Sequence, residues 1–148
     1  MHRIMAKHKY IRCDIYKRGI YVFVGSIQEF AEWIKETFTD DDEKSFAKGT
    51  LQWIEDGNCG AASFHYSNEM GGGVILIPSL PEIPKDIASL AHECLHATFF
   101  IMDYCGVSYH QDSPNEPFTY LLEHLMRNAL EEEGYEEIEK KGETHDKD

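Results

Sequence analysis

The sequence has no apolar run that could cross a bilayer. Stretches such as Val74-Ile75-Leu76-Ile77 fall far short of the roughly 20 residues a spanning helix needs. Cysteine is sparse. The four thiols at 13, 59, 94 and 105 form no CxxC pair and are too few for a disulfide scaffold in a chain of 148 residues. The N-terminus, MHRIMAKHKY, is polar and basic with no apolar stretch of the kind a secretory signal carries. Together these absences point to a cytoplasmic protein with free thiols and no membrane partner. Positive charge is also short. Fourteen Lys/Arg stand against 27 Asp/Glu, and a net charge of −13 argues against general nucleic-acid binding, which needs cations facing phosphates. No repeat appears at solenoid or propeller periods.

What is present is a globular composition. Apolar residues make up 42% of the chain, and the length suits one domain with a core of its own. The charge is uneven. Residues 1–20 carry six Lys/Arg and one Asp, whereas residues 131–148 carry nine Asp/Glu and three Lys. The expected division is a single domain over 1–133 and a solvated acidic tail over 134–148.

Residues 9–16 and 20–25 read as two strands turning at Arg18-Gly19. Ser26 is a good N-cap, and apolar residues at 27, 30, 31, 34 and 38 give the following segment a helical spacing. Thr39 and the acidic run 40–43 end that helix, and 44–55 reads as a short helix weakened by Gly49, with Phe46 and Trp53 as core. Ala61–Tyr66 and Gly73–Pro78 read as strands on either side of a polar, Gly-rich link. A long helix is predicted from Pro84 to about Tyr104, its apolar stripe running through Ile87, Leu90, Ala91, Cys94, Leu95, Thr98, Ile101 and Met102. Gly106 breaks it. A polar loop then leads to a last helix from about Glu116 to Glu133, with Pro117 where a first turn accepts proline. Strands followed by helices make the expected fold class α+β.

The chemistry lies in the long helix. His92-Glu93-Cys94-Leu95-His96 is an HExxH match. Histidines at i and i+4 project from one helix face about one turn apart, a spacing that lets both imidazoles reach a common zinc ion. Glu93 adjoins the first histidine and can reach a water on the metal without binding the metal. His92, His96, Phe99 and Asp103 share a face distinct from the apolar stripe. A catalytic zinc needs a third protein ligand, and the candidates after His96 are His110, Asp112, Glu116, Glu123 and His124. Glu116 opens the next helix, where the dipole favours a carboxylate. His65 reads as a half-exposed sheet residue, and Cys94 as a small core residue.

With HExxH followed by Glu116 after 19 intervening residues, the chain resembles the gluzincin branch of the zincin metallopeptidases. The fuller pattern, AHECLHATFFIMDYCGV and then NEPFTYLLEHL, is similar to small zincin-like proteins predicted in phage and bacterial genomes. The resemblance covers about residues 71–126. It implies a zincin-like sheet with an active-site helix and a second, ligand-bearing helix. It implies Zn2+ held by His92, His96 and Glu116, Glu93 as general base, and a peptide or protein substrate. It also implies that Gly73–Pro78 is an edge strand able to pair with extended substrate. Two departures stand out. Tyr120 replaces the aspartate that orients a ligand histidine in gluzincins, leaving Asp103, Asp112 and Glu123 as stand-ins. His110 lies 14 residues after His96, similar to the third ligand of the SprT-like family. His110 or Tyr109 is otherwise a candidate donor to a developing oxyanion. The metzincin pattern is excluded, because Phe99 and Met102 stand where it needs Gly and His. Two other classes compete with a peptidase: a non-catalytic zinc-binding accessory protein, and an acidic decoy acting through the tail.

Overall fold

A mixed five-stranded sheet runs through the middle of the molecule, with two helices against each face. The structure, a computed structural model, describes residues 5–65 and 72–139. The elements run β1 (Lys7–Cys13), β2 (Arg18–Val24), α1 (Ile27–Thr37), α2 (Asp41–Glu55), β3 (Ala62–His65), β4 (Gly73–Ile77), α3 (Pro84–Tyr104), α4 (Glu116–Leu130) and β5 (Glu136–Glu137). The strand order is β3-β4-β2-β1-β5; β2 and β4 are parallel and every other neighbouring pair is antiparallel. This is the α+β class expected from the order of elements.

Strand alternation sorts the core into two layers. Ile20, Val22 and Val24 of β2 and Ile75 and Ile77 of β4 face α3 and α4, joining Leu90, Cys94, Ala97, Ile101, Met102, Leu121 and Leu125. Phe23, Val74 and Leu76 face the other way, onto Phe30, Trp33 and Ile34 of α1 and Ala47 of α2. Phe46 and Trp53 pack against that second layer, as core residues should.

Four local readings change. The hairpin turns at 14–17, where Lys17 adopts a left-handed φ of 53° and the Tyr16 and Lys17 amides bond back to Cys13 and Asp14. Arg18 and Gly19 belong to β2, and Gly19 is small because the Tyr10 ring lies across it. The acidic run 40–43 ends α1 but also opens α2: three carboxylates in a first turn are favoured by the helix dipole, and the exposed Gly49 sits inside the helix without breaking it. Gly73–Ile77 is not an edge strand. It lies between β3 and β2 with all five residues buried, so the edge beside α3 is β3. Tyr66 and residues 67–71 of the Gly-rich link lie outside the described residues.

The fold also continues past 133. The Tyr135 hydroxyl donates to the Ala129 carbonyl at 2.6 Å, Glu136 and Glu137 pair with His8 and Lys7, and the Ile138 amide reaches the Ala6 carbonyl. Buried Lys9 closes the end of α4, its ammonium donating to the carbonyls of Asn128 (2.6 Å) and Glu131 (3.0 Å). Residues 140–148, the rest of the acidic stretch, lie outside the described residues. No helix among those described is long and apolar enough to cross a membrane.

Candidate metal centre

Helix α3 positions the site because its two faces differ. Leu90, Cys94, Ala97, Thr98, Ile101 and Met102 anchor it to the sheet, and with their burial the helix cannot rotate without exposing its core. That orientation turns His92 and His96 outward to solvent and leaves Glu93, one residue on, at the sheet-facing border with 7% of its surface exposed. Ile87 and Leu95, expected on the apolar stripe, are largely exposed at 38% and 43%; Ala97 takes the place in the core. Cys94 is fully buried, and burial pushes its thiol up to about 12, as befits a core residue.

The two imidazoles face one another, with Nε2 to Nε2 at 3.2 Å and ring centroids 4.8 Å apart. Two donors each 2.0–2.1 Å from a tetrahedral ion stand about 3.3–3.4 Å apart, so the separation of the pair is one that could hold a metal ion. Ligand atoms of His92, Glu93 and His96 all lie within 4.8 Å of one another, the one such group of His, Cys, Asp and Glu among the described residues. The Glu93 carboxylate is held from the edge strand: Ser63 Oγ lies 3.0 Å from Glu93 Oε1 and 2.9 Å from the Glu93 carbonyl. The His96 ring lies nearly parallel to Phe100, centroids 6.2 Å apart, and Phe100 in turn meets the exposed His65 at 4.7 Å.

The downstream candidates do not join the group. Helix α3 closes at Gly106 (φ 74°), with the Gly106 amide on the Asp103 carbonyl and the Val107 amide on the Met102 carbonyl, a Schellman motif. The loop then folds onto Asn115. This buried residue takes φ 55°, accepts from the His110 amide at 3.1 Å, and donates to the carbonyls of His110 and Ser113 at 2.7 and 2.9 Å. Tyr109 packs on Phe99 and Phe118, with centroids 6.2 and 5.5 Å away, and so pins the loop between α3 and α4. Glu116 is the exposed first residue of α4, and His110 is exposed on the loop. Neither belongs to the set within 4.8 Å. Of the three carboxylates weighed as an orienting partner, Glu123 is engaged by Arg127 at 2.6 Å, while Asp103 and Asp112 are exposed. His124 ties α4 to β1 through the Arg12 carbonyl at 2.8 Å.

Sequence reasoning missed Ser63, Phe100 and Asn115. Asn115 carried a signal: asparagine tolerates the left-handed region, and it stands directly before a helix start. Ser63 carried none, since its partner is 30 residues away. No protein-family model, curated protein or solved structure matches the chain.

Proposed function

We propose that the chain is a zinc-dependent metallopeptidase of the HExxH type. The observation that carries this reading is the exposed imidazole pair with nitrogens 3.2 Å apart beside a buried carboxylate. His92 and His96 hold the cation. Zinc in such a site supplies a Lewis acid that polarises a carbonyl and lowers the pKa of water toward about 7. Glu93 takes the proton from the attacking water and passes it to the leaving amine. A structural zinc site has no use for a carboxylate in that place; a catalytic one does. Phe99 of α3, Tyr109 of the loop and Phe118 of α4 pack on one another, which ties the start of α4 to α3. Glu116, at that turn, supplies the third ligand in this reading, as the gluzincin resemblance implies, with His110 as its competitor.

The test is metal analysis with a peptide-cleavage assay. Wild-type protein should bind one zinc and cleave. Glu93→Gln should keep the metal and lose turnover by at least about 100-fold; full activity in that variant rejects the assigned base. His96→Ala should lose the zinc. Glu116→Ala and His110→Ala, measured side by side, decide the third ligand. A second reading, zinc held without catalysis, draws support from the placement of Glu116 outside the His92–Glu93–His96 group. Stoichiometric zinc with no cleavage of any peptide in a random library selects it.

A further inference from the structure

We infer that Ser63 is the positioning residue of Glu93, so that edge strand β3 builds part of the active site through a side chain. The inference rests on the metal-site reading above and extends it to a residue outside HExxH. Its starting point is burial. Glu93 as a residue is 7% exposed, and a carboxylate so placed needs a donor in exchange for lost water. The donor the structure provides is the Ser63 hydroxyl.

The geometry goes beyond a generic tie between strand and helix. A hydroxyl has one proton, and Ser63 Oγ stands almost equally far from two acceptors on the same residue, the carbonyl at 2.9 Å and Oε1 at 3.0 Å. The carbonyl belongs to the rigid backbone of α3. Shared between the two acceptors in a three-centre bond, the single hydroxyl proton ties the carboxylate to the helix that carries both histidines, in the rotamer that keeps Glu93 within 4.8 Å of their nitrogens. Strand register makes this durable. Ser63 pairs with Ile75 of fully buried β4, and alternate residues of β3 point to opposite faces. Phe64 therefore packs onto Phe30 and Trp53 in the aromatic layer, while Ser63 and His65 face α3. A slip of one residue would bury the serine in that layer and leave Glu93 without its donor.

The role differs from that of a ligand or base. Ser63 is neither one of the assigned ligands nor the assigned base; it acts through Glu93, and a base displaced by about 1 Å can lose up to 100-fold in rate. The test uses the full chain loaded with cobalt(II), whose visible bands report the surroundings of the metal, beside zinc-supported peptide cleavage. Ser63→Ala should bind one cobalt and shift the bands in the direction that Glu93→Gln shifts them. It should also lower kcat about 10- to 100-fold with KM changed less than about twofold. Ser63→Thr, which keeps the hydroxyl, should restore both. If Ser63→Ala does not fold, Ser63→Cys, close in size and a poor donor, takes its place with the same expectation. Wild-type bands and wild-type kcat in the alanine or cysteine variant overturn the inference, as does a kcat loss that Thr fails to rescue. A wild-type chain that binds cobalt yet cleaves nothing removes the catalytic reading alone, and the bands still decide whether Ser63 holds Glu93. A wild-type chain that binds no cobalt removes both.

Discussion

The two layers of the core are built from different side chains. Against α1 and α2 the packing is aromatic: Phe23, Phe30, Trp33 and Phe38 are buried together, with Tyr21, Phe46, Trp53 and Phe64 at their margin. Against α3 and α4 it is aliphatic and small, with Ile, Val, Leu, Cys and Ala at most positions. The difference teaches where this fold can place chemistry. Large rings fill space in few rotamers and make a stiff layer without titratable groups at its centre. Small residues such as Cys94 and Ala97 let α3 lie close on the sheet, so that Glu93 reaches the edge strand while the histidines one turn apart stay in solvent. The site thus sits wholly on the aliphatic side of the sheet, and the aromatic side contributes no residue to it.

The strongest way to break that comparison is to cut into the aromatic layer. Phe30 is fully buried, stacks with Trp33 and Phe64, and meets Phe23 in a tilted contact. Phe30→Ala should cost about 3–5 kcal/mol of unfolding free energy, read from urea denaturation, because the ring's burial is lost and a cavity remains. Zinc stoichiometry of the folded fraction should be unchanged. Loss of metal by a folded Phe30→Ala protein would show that the layers are coupled and the division wrong.

A middle-sized effect is expected from the loop on the site side. The Asn115 side chain makes three hydrogen bonds within 110–115, and the residue holds a left-handed φ of 55°. Asn115→Ala should cost about 2 kcal/mol, combining unpaired backbone groups with a strained backbone. Asn115→Gly relieves the strain but not the lost bonds, and should recover less than half. Equal stability of the alanine variant and wild type, by urea denaturation, would show that the loop is not held by this residue.

How much of this was legible follows from range. The two ends of helix α3, near Pro84 and Tyr104, were readable because its proline start and glycine stop are local, and most of its buried face followed from the periodicity, Ile87 and Leu95 excepted. The outward face of His92 and His96 followed from that periodicity. The hairpin turn was misplaced because Gly19 is a turn signal that here answers a cross-strand need, room for Tyr10. The edge assignment went to β4 instead of β3 because strand order is non-local. Two parallel neighbours, β2 and β4, are separated in sequence by two helices and a strand, and nothing in Gly73–Ile77 says which side stays open. Ser63 was hidden for the same reason: a serine in a four-residue strand carries no mark of the carboxylate it meets.

The finest test of the comparison is alkaline, and it concerns the aliphatic layer at Cys13. This residue is 4% exposed, and its thiol is pushed up to about 11, first by burial and then by the charges of Asp14 and Cys105. In the unfolded chain it returns toward its ordinary value of 9.0. The folded state therefore holds a proton that the unfolded state releases, and stability must fall as pH rises through 9 toward 11. At pH 9 the loss is at most about 0.4 kcal/mol relative to pH 7, reduced by residual screening at the border of the core, and it grows above that. Urea midpoints at pH 7, 9 and 10 for the wild type and for Cys13→Ala should diverge, with the wild type falling further. Exposed Cys59 and Cys105 should react with a thiol reagent in the native state, while Cys13 waits for unfolding. Equal pH slopes in the two proteins would place Cys13 in contact with water, and the aliphatic layer would then be open at the β1 end, far from the seal its packing describes.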